Sequence, residues 1–155
     1  MNMPTLGPGH EKLGAFIGRW EGDEQVAPSP WGPGGPARGR LTFRRDVAGF
    51  ALILDYAEER ADGTSFLGHG VFCIEPADGS VLWFWFDSLG FPPTEPARGG
   101  WEGDTLIVRK TTPRGEGCYR FRMADGRLHW TIESRLKGQS EALTLMTGTY
   151  ERVAP

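Results

Sequence analysis

The chain is poor in cysteine and histidine, has no long apolar run and carries no excess of positive charge. Each lack removes a class of protein. Only Cys73 and Cys118 occur in 155 residues, with no Cys-x-x-Cys pair, so neither a disulfide framework nor a zinc site is indicated. Each lies in an alternating, strand-like run and reads as a small buried hydrophobe. Lys and Arg number 17 against 20 Asp and Glu, a net charge of -3. A nucleic acid or an anionic membrane surface wants a basic face to offset phosphates, so neither is an expected partner. Arg38, Arg40, Arg44 and Arg45 fall close together but read as a solvated strand face. No stretch approaches the length that crosses a bilayer, and Met1 to His10 lacks the charged start and apolar run of a secretion signal. A cytoplasmic location is the resulting expectation.

Glycine, by contrast, is abundant at 23 copies, and its placement is regular. Turn signals recur at Ala48-Gly49, Asp62-Gly63, Asp78-Gly79, Gly103-Asp104, Arg114-Gly115, Asp125-Gly126 and Lys137-Gly138. Asp-Gly tolerates the positive φ angles of tight hairpins. Between the turns lie aromatic and β-branched segments that predict ten strands, at 18–27, 38–46, 50–60, 65–75, 80–87, 94–101, 104–112, 117–123, 127–135 and 142–152. No long helical pattern interrupts them, so parallel crossovers are not expected. The expected fold is all-β: one domain over 1–155, a ten-stranded antiparallel up-and-down barrel over 18–153. A flexible stretch, 1–9, and a short N-terminal helix, 10–17, come before it.

The helix is read from Leu13, Phe16 and Ile17 at i, i+3, i+4 spacing. It is too short to stand alone, so its stripe must be buried, and plugging one end of the barrel would bury it. Residues 27–36, rich in proline and glycine, predict a loop that cannot join a ladder and could cover the mouth. Alternation sends Leu128, Trp130 and Ile132 to one face of their strand, and Tyr119, Phe121 and Met123 to one face of theirs. The run 81–86 is apolar on both faces. Its outer row needs a cover, whether a homodimer partner, which is preferred, a loop or the short helix.

Three histidines bound any histidine chemistry. His10 reads as a surface or capping residue, and His129 shares a polar row with Thr131, Glu133 and Arg135. His69 alternates with Leu67, Val71 and Cys73, which predicts an interior position as either a hydrogen-bonded core residue or a ligand contact. Asp87, ending the tryptophan-rich strand, could face the interior as an acid or base, or cap the following turn. No His-x-His pair, Gly-x-Ser-x-Gly elbow, Walker loop or dinucleotide fingerprint occurs, so no metal and no cofactor is expected. Six tryptophans and nine phenylalanines exceed the needs of a small core. Trp83, Trp85, Tyr119 and Trp130 are candidate walls of a cavity, with Tyr56, His69 and Asp87 as polar anchors. A filled interior is the competing possibility.

The segment Leu13-Gly14-Ala15-Phe16-Ile17-Gly18-Arg19-Trp20-Glu21-Gly22 resembles the opening of the calycins, the lipocalins and fatty-acid-binding proteins. There a Gly-x-Trp follows a short helix. Tyr150-Glu151-Arg152 is similar to their last strand, whose arginine lies across the tryptophan ring. The resemblance implies that Trp20 and Arg152 close one end of the barrel and that any function lies toward the other. More closely, residues 10 to 153 are similar to a bacterial family known as domain of unknown function 1579. The matching features are Leu-x-x-Phe-x-Gly-x-Trp-x-Gly, the stretch Trp83-Phe84-Trp85-Phe86-Asp87-Ser88-x-Gly90 and the closing Gly148-x-Tyr150-x-Arg152. Nitrobindins, haem-binding ten-stranded barrels, resemble the chain at Gly18, Trp20 and Gly22. Their haem iron is held by a last-strand histidine, and residues 130 to 155 have none.

The leading expectation is thus a binding protein for a small hydrophobic or aromatic molecule held in the barrel, rather than an enzyme. An isomerase or cyclase using His69 and Asp87 in the same cavity is the alternative, and haem binding of the nitrobindin kind a lesser one.

Overall fold

A computed structural model describes residues 2–154. Ten antiparallel strands follow one another around a closed barrel, and β1 (Gly18–Val26) pairs with β10 (Leu143–Val153) to complete it. The others are β2 (Gly35–Asp46), β3 (Ala51–Arg60), β4 (Ser65–Ile74), β5 (Val81–Asp87), β6 (Ala97–Glu102), β7 (Thr105–Thr112), β8 (Gly115–Ala124) and β9 (Arg127–Leu136). Closure pairs the strands all round, apart from the second half of β5, whose side toward β6 is unpaired. The hairpin turns fall where glycine permits them. At β8–β9, Asp125 has φ 53 and Gly126 φ 73, two successive positive angles that suit the right-handed twist of the flanking strands.

The N-terminal helix starts earlier and ends differently than its stripe predicts. It starts at Pro8, whose fixed φ suits the first helical position, runs as α1 (Pro8–Leu13) and tightens into a 3₁₀ turn over Gly14–Phe16. Leu13 and Phe16 are fully buried and stop one end of the barrel. The Phe16 ring stacks on Trp101 at 5.5 Å and on Phe43 at 5.4 Å. The Trp20 indole N–H donates to the Phe16 carbonyl at 2.9 Å. Arg152 lies over the Trp20 ring, 4.3 Å from its centroid, and its guanidinium donates to the carbonyls of Ala15 and Ile17. One side chain therefore satisfies the end of the plug and covers the tryptophan.

Two expectations need correcting. First, the stretch read as loop through residue 36 stops sooner, and Gly35 and Pro36 belong to β2, opposite Val26 and Gln25 of β1. Pairing between β2 and β3 begins only at Ala37, so the missing N–H of Pro36 costs no hydrogen bond on that side. Second, the apolar row Leu67, Val71 and Cys73 of β4, with His69, faces out, not in. The inward row is Phe66, Gly68, Gly70, Phe72 and Ile74. Its two glycines make room for tryptophans of β5: a methyl group at Gly68 would come within 2.1 Å of the Trp85 ring, and one at Gly70 within 2.5 Å of the Trp83 indole nitrogen. A row with two glycines has no hydrophobic signature, so alternation selected the wrong face.

β5 joins β6 through only three residue pairs, Val81 to Trp83. Its second half, 84–87, has only β4 beside it, and residues 88–96 connect it to β6. On the outside, Leu82, Phe84 and Phe86 continue the apolar row of β4, with Phe86 50% and Leu67 59% exposed. No helix among the described residues is long and apolar enough to cross a membrane.

Candidate functional site

At the end opposite the plug the barrel opens into a cavity of about 440 Å³. Its walls are aromatic: Tyr56 of β3, Phe66 of β4, Trp85 of β5, Tyr119 of β8 and Trp130 of β9. Each stands on the inward row of its strand, where period-two alternation puts it. Tyr56 meets Trp130 edge to face at 4.9 Å, and Trp85 lies 5.8 Å from Trp130. The rim comes from loops: Ser29, Trp31 and Pro33 from residues 27–34, Asp62 and Thr64 from the β3–β4 turn, and Ser88 and Leu89 after β5. Trp31 and Leu89 are large apolar side chains left exposed at this opening.

Beneath the aromatic walls lies a polar cluster that reading the sequence missed. Glu24 of β1 and Glu58 of β3 point inward and are 4% and 3% exposed. The Tyr56 hydroxyl sits between them, 2.8 Å from an oxygen of each, and the Tyr150 hydroxyl donates to Glu24. Arg60 Nε donates to Glu58 at 2.7 Å. A hydroxyl has one proton to give, so the two contacts of Tyr56 are both satisfied only if a carboxyl supplies the second. Burial, together with the hydrogen bond that protonated Glu24 donates to the neighbouring Glu58, raises the Glu24 pKa to about 8. Glu24 therefore holds a proton at neutral pH while Glu58, facing Arg60, is the carboxylate that lines the cavity. Burial pushes both tyrosine hydroxyls well above their ordinary range, and the Glu24 charge adds to this once that group ionises, so they remain donors. The cluster has room because Gly39 lies behind it, where a methyl group would be 2.3 Å from a Glu24 oxygen. The signal that could have found it is simple: Glu24 follows Trp20 and Gly22 on the inner row, and Glu58 follows Leu54 and Tyr56.

The residues expected to form the site are only partly brought together. Tyr56, Trp85, Tyr119, Trp130 and Asp87 line the cavity. Asp87 accepts from the Trp85 indole N–H at 2.8 Å and from the Leu89 backbone N–H at 3.0 Å, so it holds the wall and caps the following turn together. Burial and the Asp87 charge push the Tyr119 hydroxyl up to about 12. Trp83 lies one layer deeper, against Phe72, Trp85 and Tyr119, and does not line the cavity. His69 is not in the interior at all. It stands on the outer surface with its Nδ1 2.7 Å from Asp55, because β4 presents the opposite face to the one expected. His69 and Asp87 are thus on opposite sides of the barrel wall and cannot act on one substrate.

The other histidines are equally distant. His10 accepts from the Gly7 backbone N–H at the plug, and His129 lies on the outer face beside Thr149. No histidine reaches the cavity, so haem held by histidine, as the resemblance to nitrobindins implies, does not fit this site. No group of three or more potential metal-ligating side chains occurs among the described residues.

No family model matches the chain, the family of unknown function named above included, and no curated protein matches it. Solved structures do. Rv2717c from M. tuberculosis superimposes with a TM-score of 0.74 at 18% identity, covering 97% of this chain and 100% of that one. EF1p2_mFAP2b, solved bound to DFHBI, superimposes with a TM-score of 0.51 at 12% identity, covering 93% and 98%. At these identities the likeness is one of fold.

Proposed function

We propose that the protein binds a small hydrophobic or aromatic molecule in the mouth of the barrel. The observation that carries this reading is the cavity itself: about 440 Å³, walled by aromatic rings and floored by satisfied, buried polar groups. Ligand sites of soluble proteins are concave, mostly apolar and supplied with a few placed polar groups. That a barrel of similar fold was solved bound to DFHBI supports the reading. With it go the kinship to the calycins and to domain of unknown function 1579, and a cytoplasmic location. Pairing of two copies through the outward row Leu82, Phe84 and Phe86 goes with it too, and light scattering on the eluted protein tests that pairing.

A native mass spectrum of freshly purified protein, with a titration by the neutral lipophilic dye Nile red, tests the binding reading. Saturable one-to-one quenching of tryptophan emission is expected, and Trp85→Ala should weaken it. A mass spectrum free of ligand together with no quenching would refute it.

One observation favours a second reading, an isomerase or cyclase in the same cavity: a carboxylate, Glu58, faces the ligand space with a proton held on Glu24 beside it. This chemistry no longer draws on His69.

A further inference from the structure

The charges of the cavity narrow the ligand class, and the inference rests on the binding reading above. Three carboxylates line the cavity, Glu58, Asp62 and Asp87, against one guanidinium, that of Arg60. The guanidinium is paired through its Nε with Glu58. Asp62 is tied at the rim to the backbone N–H and hydroxyl of Thr64, both neutral donors. Asp87 likewise accepts from neutral donors, and no salt bridge reaches it among the described residues. Lys110 of β7, on the same row as the buried Leu106 and Val108, places its ammonium over the Tyr119 ring, 5.9 Å from the centroid, and does not line the cavity. Burial lowers the Lys110 pKa, against the pull of the Asp87 charge.

An anionic ligand would therefore bring its charge toward three carboxylates against one lining guanidinium, itself paired with Glu58. A cation meets the reverse. Trp85, Trp130, Tyr56 and Tyr119 present the electron-rich ring systems that attract positive charge, and Asp87 adds a carboxylate fixed in place by the Trp85 indole. Charge-assisted hydrogen bonds to a carboxylate are about twice as strong as neutral ones, most of all where water is scarce. We propose that the cavity selects a small organic cation, an amidinium or ammonium on an aromatic body. Its charged end is directed to Asp87 and Glu58, and its ring packs against Trp85 and Trp130.

Three ligands with one benzene ring and different charge test this: benzamidine, benzamide and benzoate. They are titrated by tryptophan fluorescence into the wild-type protein, with Nile red as a separate probe of the cavity. Benzamidine should bind about tenfold more tightly than benzamide, with benzoate the weakest. Asp87→Asn keeps an acceptor for the Trp85 indole and should narrow the benzamidine-to-benzamide ratio severalfold, and so should Glu58→Gln. Should either variant fail to fold, the ranking on the wild type decides alone. Equal binding of benzamidine and benzamide, benzoate binding best, or none of the three binding while Nile red still quenches would each overturn the cation assignment and leave the cavity reading standing. Loss of Nile red quenching as well would overturn both.

Discussion

The two ends of the barrel are built from the same alternating strands yet bury opposite kinds of side chain. At the closed end the inward rows carry Phe43, Trp101 and Phe121, and the plug inserts Leu13 and Phe16 among them. The Trp20 indole N–H there donates to the plug, and the carbonyls of Ala15 and Ile17 accept from Arg152, while the Trp101 indole N–H is buried without a partner. At the mouth the same rows carry Glu24, Glu58, Arg60 and Asp87, and the strands are joined by loops that leave a cavity instead of filling it. The difference teaches how a small barrel separates stability from function. One end is filled to high density and holds the fold, and the other keeps buried charge that a core would not tolerate without partners.

That division can be broken from either side. The largest effect is expected at the plug. Phe16→Ala leaves a cavity among Phe43, Trp101 and Phe121 and should cost about 3 to 5 kcal/mol in a denaturant titration, without changing the residues that line the mouth. The acid pair comes next and shows itself through pH. Glu24 in the folded protein holds a proton to about pH 8, whereas its unfolded value is 4.5. The folded state thus binds more protons between those values. Its stabilisation is complete below about pH 4.5 and is lost as pH rises through about 8, with a slope approaching about 1.4 kcal/mol per pH unit. Glu24→Gln should flatten that slope, measured by thermal or chemical unfolding at a series of pH values. Smaller still, Arg152→Ala removes the cation over Trp20 and the contacts to Ala15 and Ile17, for a loss of about 1 to 2 kcal/mol. The smallest change in stability is expected from Trp31→Ala on the exposed rim, within about 0.5 kcal/mol, while Nile red should bind severalfold more weakly.

The closed end was the more legible of the two. Leu13 and Phe16 announce a buried stripe, and the Asp-Gly pairs set the hairpins that bring β10 beside β1. The mouth was legible in its aromatics, since Trp85, Tyr119 and Trp130 alternate with polar neighbours or follow a run too apolar to be all outside. Two features escaped for physical reasons. Gly68 and Gly70 carry no hydrophobic signal, although they are what lets Trp85 and Trp83 lie against β4, and so the row containing His69 was assigned to the wrong side. Glu24 and Glu58 lie 34 positions apart, on β1 and β3 with β2 between them, and only the closed barrel brings both to the Tyr56 hydroxyl. A carboxylate in a row of inward apolar residues was the available sign, and it is worth reading as strongly as a histidine in the same place.

The central claim, that the mouth is the ligand site and the outer apolar face of β4 and β5 is not, is tested most directly by a crystal structure of the protein with Nile red. The account predicts the dye between Trp85 and Trp130 with the Phe16 plug unmoved. Dye seated instead on Leu67 and Phe86, with the mouth unchanged, would contradict it.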